Sequence, residues 1–219
     1  DNPHAEFYIT IISFDSFATC VLPLYRVTKE NKDHIIQMVL RIKPRGGTNF
    51  QKCFQQVANI MSRENEYISN DSIITDIYTN RMHVFLTDGV NNEGETNIKN
   101  LASILKPSII DSSNTIKNAT QIMIGYGCDH DSTMLQNLCA EFPNSKQWFI
   151  DDVEKTGCIF GEILWSAINT AYSEVKLISN VDIYDFNTMS WKKEIDIEDL
   201  VYDSSRTLYI RVPWNIEIG

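Results

Sequence analysis

Between Met82 and Thr87 the chain reads Met-His-Val-Phe-Leu-Thr, a nearly unbroken apolar run of the kind found where both faces of a strand are covered. Asp88-Gly89 stops it. Glu6 to Phe14 and Thr120 to Tyr126 are rich in β-branched and aromatic residues and read as further strands, with Gln147 to Ile150 as a short last one. Cys20 to Val27 reads as an edge strand, because Pro23 has no N–H to give to a ladder. Helical spacing lies between these runs. Asn31 to Ile42 carries Ile35, Ile36, Val39, Leu40 and Ile42, and Phe50 to Met61 carries the stripe Phe50, Cys53, Phe54, Val57, Ile60 and Met61. Thr96 to Leu105 reads as a helix ended by Pro107, and Asp131 to Phe142 as one capped by Asp131. A long helix follows Asp151-Asp152 to about Ala171, with Ile159, Phe160, Ile163, Leu164 and Ile168 inward. Arg63 to Arg81 is polar and reads as a surface excursion, and Ser108 to Asn118 as a connection.

From Tyr172 the period changes to two. Val175 to Ile178, Val181 to Phe186, Trp191 to Ile197 and Leu208 to Val212 alternate between turn residues, which predicts antiparallel strands. The pattern therefore predicts an α/β domain over residues 1–171 and a β-rich module over 172–219.

Two loops carry candidate chemistry. Asp88 lies just past a buried strand, at the sheet edge where open α/β folds bind ligands, although Asp-Gly is also ordinary turn chemistry. Gly46-Gly47-Thr48-Asn49 lies between two helical patterns, where paired glycines allow a tight turn and Asn49 is placed to cap the helix from Phe50. Gly-Gly-Thr-Asn, then apolar-Thr-Asp-Gly, together with Ile11-Ile-Ser-Phe-Asp-Ser-Phe-Ala18 and Ile124-Gly-Tyr-Gly-Cys-Asp-His-Asp131, resembles the von Willebrand factor A domain. The ordered set is more specific than any one member.

That resemblance implies a Rossmann-like, mostly parallel sheet flanked by helices. Glu6–Phe14, Met82–Thr87 and Thr120–Tyr126 would be inner strands and Cys20–Val27 an antiparallel edge. It implies a metal-ion-dependent adhesion site holding Mg²⁺, or Mn²⁺ or Ca²⁺, through Thr48 and Asp88, and a protein partner that offers an acidic side chain. Asn49, Gly89, Asn91 and Asn92 would form the partner-binding rim. The family's first strand ends in Asp-x-Ser-x-Ser, and nothing before Phe7 matches it. The implied site is then incomplete and its metal weakly held. The implied gap in the sheet calls for a strand from an upstream segment, another chain or the C-terminal module. Asp203-Ser-Ser-Arg-Thr207 has similar spacing but reads as a turn. The C-terminal stretches around Ile197–Leu200 and Ser205–Pro213 resemble the β-sandwich segment that follows the A domain in some intracellular and inter-α-inhibitor-like proteins.

Composition narrows the partner. With 219 residues and a net charge of −10, the chain suits a cation or a basic partner and disfavours nucleic acid and anionic membrane. Cys20, Cys53, Cys128, Cys139 and Cys158 are scattered, with no Cys-x-x-Cys pair, which favours a reducing, cytoplasmic compartment. No apolar run is long enough to span a bilayer. Gly125-Tyr-Gly127 falls short of a dinucleotide fingerprint, since His130 takes the third glycine position, and His130 itself reads as a surface or capping residue. The reading is a binding module rather than an enzyme. The alternatives are a Mg²⁺-dependent phosphoryl-transfer enzyme on a similar sheet and a metal-free scaffold; no P-loop, Gly-x-Ser-x-Gly or His-Glu-x-x-His supports catalysis.

Overall fold

A computed structural model describes residues 6–70, 81–109, 119–142, 144–172, 175–197, 200–202 and 205–212. The chain divides into two compact units, Asp1–Asp152 and Val153–Gly219. The change of hydrophobic period at 171 and this division at 152 fall at opposite ends of one helix, α5 (Val153–Asn169).

In the first unit β1 (Tyr8–Phe14) and β2 (Ala18–Arg26) form an antiparallel hairpin. Partners step from Ile9↔Tyr25 to Ile11↔Leu22, so the ladder skips the stretch holding Pro23, as the missing N–H requires. After α1 (Lys32–Leu40) and α2 (Phe50–Asn70), β3 (Arg81–Thr87), β4 (Ala119–Tyr126) and β5 (Ser145–Ile150) form a parallel ladder in that order. Helices α3 (Ile98–Ile109) and α4 (Ser132–Ala140) are its crossovers. The architecture is thus α/β, with a parallel three-stranded sheet flanked by helices and separate antiparallel pairs.

Several boundaries differ from the pattern. Helix α2 continues to Asn70 through the polar stretch expected to be an excursion, because adding a residue to an established helix costs far less than starting one. Residues 71–80 and 110–118 lie outside the described residues. Pro107 sits inside the last turn of α3 rather than ending it. The single sheet with β1 and β3 as inner strands is also corrected. Among the described residues β1 pairs only with β2 and β3 only with β4, so β4 is the inner strand of this unit.

What joins β1 to β3 is aromatic packing. Phe14 stacks on Phe85 at 5.3 Å, and Phe50 and Phe54 of α2 meet Phe85 edge-on at 4.8 and 5.1 Å. Around them Leu101, Leu105, Met123, Leu135 and Leu138 complete a core under α2, α3 and α4. Leu86, on the opposite face of β3, is 43% exposed, so the two faces of this strand are not both covered, contrary to the expectation from its apolar run. Helix α1 has no buried residue, and Ile36, Val39 and Leu40 of its stripe are exposed. Asp131 caps α4 as expected, accepting the Met134 N–H at 2.9 Å.

His83, partly buried on β3, hydrogen-bonds Gln121 Oε1 through Nδ1 at 2.8 Å. Burial pushes its pKa down, and the bond to Gln121 offsets this in part. The folded protein therefore binds this proton less readily than the unfolded chain does. Stability from His83 is fully present above the unfolded value of about 6.5 and is lost as pH falls below it. Urea unfolding of the wild type and His83→Gln at pH 7.5 and 5.5 should show the wild type losing more stability on acidification. Equal losses would show that the imidazole does not titrate on unfolding.

In the second unit, β6 (Thr170–Tyr172) pairs with β9 (Leu200–Val201), and β7 (Lys176–Asp185) lies between β8 (Ser190–Asp196) and β10 (Ile210–Arg211), all antiparallel. Ile183 and Ile195 are buried, while Tyr184, Phe186, Trp191 and Tyr209 make edge-to-face contacts and Arg211 lies 4.4 Å over the Trp191 ring. Residues 203–204 of the Asp203–Thr207 string lie outside the described residues.

None of the five cysteines forms a disulfide. Cys53 and Cys139 are buried, which pushes the Cys53 thiol up to about 12 and raises that of Cys139, whereas Cys128 and Cys158 are exposed. No helix among the described residues is long and apolar enough to cross a membrane.

Candidate metal centre

Three chain segments meet beside the carboxyl end of β3. They are the turn Asp15–Phe17 after β1, the loop Arg45–Asn49 before α2, and the loop Asp88–Glu95. Each is ordered by its own chemistry. Asp15 Oδ1 accepts the Phe17 N–H at 2.8 Å, closing the turn. Asn49 caps α2, its Oδ1 accepting the Lys52 N–H at 3.1 Å, as its position before Phe50 predicts. Glu95 braces the approach to α3, accepting from the backbone N–H groups of Thr96 and Asn97 and from the Asn100 amide. The bond from the Asn97 N–H and that from Asn100 hold its carboxyl below the ordinary range.

The loops are then laced together. Asn49 N–H donates to the Asp15 carbonyl at 2.9 Å, Thr48 N–H to Asn92 Oδ1 at 2.8 Å, and the Asn92 and Glu93 N–H groups to the Thr48 carbonyl at 3.1 and 3.2 Å. Asn91 Oδ1 accepts the Phe50 N–H at 2.9 Å while its amide donates to the Glu95 carbonyl at 2.7 Å. A Cβ on Gly89 would lie 3.4 Å from Thr48 Oγ1, so the chain next to Asp88 passes close to the Thr48 hydroxyl. Thr48 and Asp88, 40 residues apart by number, are thus brought to one place at the end of the parallel ladder, where α/β sheets hold ligands.

The remaining candidates divide. Gly89 is partly exposed and Asn92 exposed. Asn49 and Asn91 are buried, at 7% and 6% exposure, with their side chains committed to backbone groups. They hold the loops and do not line an accessible rim; a buried amide that satisfies helix-end N–H groups is the reason. Sequence reasoning missed Ser16 and Glu93, whose side chains join at 2.8 Å across 77 residues. His130 is not at this centre: its Nδ1 bonds the Gly127 carbonyl at 2.7 Å and its ring lies against Phe149 and over Gly125, where any side chain would overlap it.

Among the described residues the Thr48 hydroxyl and the Asp88 carboxylate have no protein partner, whereas Ser16, Asn49, Thr87, Asn91, Asn92, Glu93 and Glu95 are all bonded. No three His, Cys, Asp or Glu side chains converge there or elsewhere among those residues. The free donors are a hydroxyl and a carboxylate, hard oxygens that fit Mg²⁺ or Mn²⁺ with most of its roughly six positions left to water.

No protein-family model matches the sequence, and no curated protein matches it. Solved structures do. A von Willebrand factor type A protein from Catenulispora acidiphila is 15% identical with a TM-score of 0.59, over 90% of this chain and 47% of that one. BatB from Bacteroides thetaiotaomicron is 10% identical with a TM-score of 0.50, over 74% and 79%. Proximal thread matrix protein 1 from the mussel byssus, in a form with a zinc-occupied MIDAS motif, is 18% identical with a TM-score of 0.46, over 71% and 33%. The fold is von Willebrand factor A-like. The chain spans about half the length of the first of these structures.

Proposed function

We propose that the chain is a protein-binding module whose Thr48 hydroxyl and Asp88 carboxylate hold a divalent cation, Mg²⁺ in the first place, to which a partner presents an acidic side chain. One observation carries this reading. In a cluster of loops where the other polar side chains are bonded, these two oxygens have no partner among the described residues and belong to loops that touch. Bound there, the cation supplies a positive centre with open positions that a carboxylate can fill. Asp88 lowers the local charge toward neutrality without closing the coordination sphere. The partly exposed backbone at Gly89 and the exposed Asn92 give a partner room to approach. The same reading places a further strand between β1 and β3, whose facing edges carry no ladder among the described residues.

Calorimetric titration of the chain with Mn²⁺ tests the proposal. We expect one weak site, with Kd on the order of 10⁻³ M, because two protein ligands leave the ion mostly hydrated. Thr48→Ala should weaken it further and leave the urea midpoint unchanged, since a loop hydroxyl contributes little to the core. No cation binding by the wild type would leave the metal-free scaffold as the reading, and unfolding of Thr48→Ala would make Thr48 structural.

A further inference from the structure

Ser16 Oγ lies 2.8 Å from Glu93 Oε1 and 3.3 Å from the Gly46 carbonyl. A hydroxyl has one proton, and the shorter bond to an ionised acceptor is the stronger claim on it. Glu93 is therefore held at both ends, its N–H on the Thr48 carbonyl at 3.2 Å and its carboxylate on Ser16. The turn after β1 reaches the Gly-Gly loop in turn, through the Asp15 carbonyl and the Asn49 N–H at 2.9 Å. Three segments are thus linked pairwise by three hydrogen bonds, a closed triangle with Thr48 on one side.

Gly47 lies inside this triangle. Its φ is +78°, and a Cβ there would overlap both Ser16 Oγ and Glu93 Oε1. The glycine thus serves two needs at once, a left-handed backbone and room for the Ser16–Glu93 contact. The Arg45–Asp15 pair, at 3.8 Å with an exposed guanidinium, is too weak a tie to replace that contact.

We infer that Ser16 and Glu93 are positioning residues of the cation site: their hydrogen bond closes the ring of loops and fixes the spacing at which Thr48 and Asp88 share one ion. This rests on the cation-binding reading above. Glu93 acts as an acceptor for Ser16 and does not itself touch the ion. Its neighbours Asn91 and Asn92 tie the loop to α2 and to Thr48, but neither reaches the turn after β1.

The experiment is a double-mutant cycle with Mn²⁺ as the probe, free Mn²⁺ being counted by electron paramagnetic resonance. It uses the wild type, Ser16→Ala, Glu93→Ala, the double variant and Glu93→Gln. In parallel, amide hydrogen exchange at Asn49 and Glu93 is followed in metal-free protein. Each alanine variant should weaken Mn²⁺ binding roughly five- to tenfold and speed exchange at both amides, and the double variant should be no worse than either single one, as for two halves of one contact. Glu93→Gln, whose amide oxygen still accepts from Ser16, should stay within about threefold of the wild type. Additive losses, or no loss, would overturn the inference. Tighter binding by Ser16→Ala would overturn it too, by showing that the freed Glu93 is a ligand, as would a loss in Glu93→Gln equal to that in Glu93→Ala. If the wild type holds no Mn²⁺, the cation reading fails, whereas unchanged exchange at Asn49 and Glu93 in the alanine variants defeats the tie alone.

Discussion

Phe85→Ala should lower the unfolding free energy by about 3–5 kcal/mol in urea denaturation, the range for truncating a buried aromatic whose surroundings collapse only in part. Phe85 is 2% exposed and its ring meets Phe14, Phe50 and Phe54. Its position in the topology makes it more costly than an ordinary core residue. Strands β1 and β3 share no ladder among the described residues, so apart from the loop bonds of Asp15 and Ser16 the β1–β2 hairpin is held to the parallel sheet through these rings and α2. Truncation should therefore also speed hydrogen exchange throughout β1 and β2, ahead of β4. A loss under about 1 kcal/mol would show that the site refills, or that other contacts anchor the hairpin.

Asp88→Ala should have the opposite profile. We expect Mn²⁺ binding to fall more than tenfold, because the substitution removes a carboxylate that has no partner among the described residues, on the loop that touches Thr48, and leaves a neutral hydroxyl to hold the ion. The urea midpoint should hold to within roughly 0.5 kcal/mol, since Asp88 is exposed and bonds no described residue. Calorimetry and denaturation on the same preparation check both halves. Retained binding would remove Asp88 from the site, and a large loss of stability would make it a structural turn residue.

Much of this was legible in advance, and the reasons differ from element to element. The run Met82–Thr87 ended at Asp88-Gly89 as a strand must, and the stripe from Phe50 to Met61 with Asn49 before it gave α2 and its cap. Between Met61 and Asn70 the residues are polar except Tyr67 and Ile68, so periodicity no longer marks a helix that runs to Asn70. Pro107 was read as a stop, yet it falls in a last turn and leaves the helix running to Ile109. Thr48 and Asp88 stand out in the sequence as candidates because their loops carry a specific ordered pattern. Ser16 and Glu93 were not, because a serine and a glutamate in polar loops are common, and only the folded chain brings positions 77 apart into contact. Asn49 and Asn91 were misplaced on the rim for a related reason. Polar residues are usually outside, and burial of an amide is legible only when its partners are known.

The sorting of the thiols has a practical consequence. Nucleophilic attack needs the thiolate, so Cys53, with its proton held to about pH 12, and buried Cys139 should be spared by a maleimide at neutral pH. Cys128 on the loop after β4 and Cys158 on α5 are open to it, one on each compact unit. With Cys20 replaced by serine, the natural sequence then offers a ready donor–acceptor pair. Energy transfer between two dyes would follow the separation of the units as cation or partner is added.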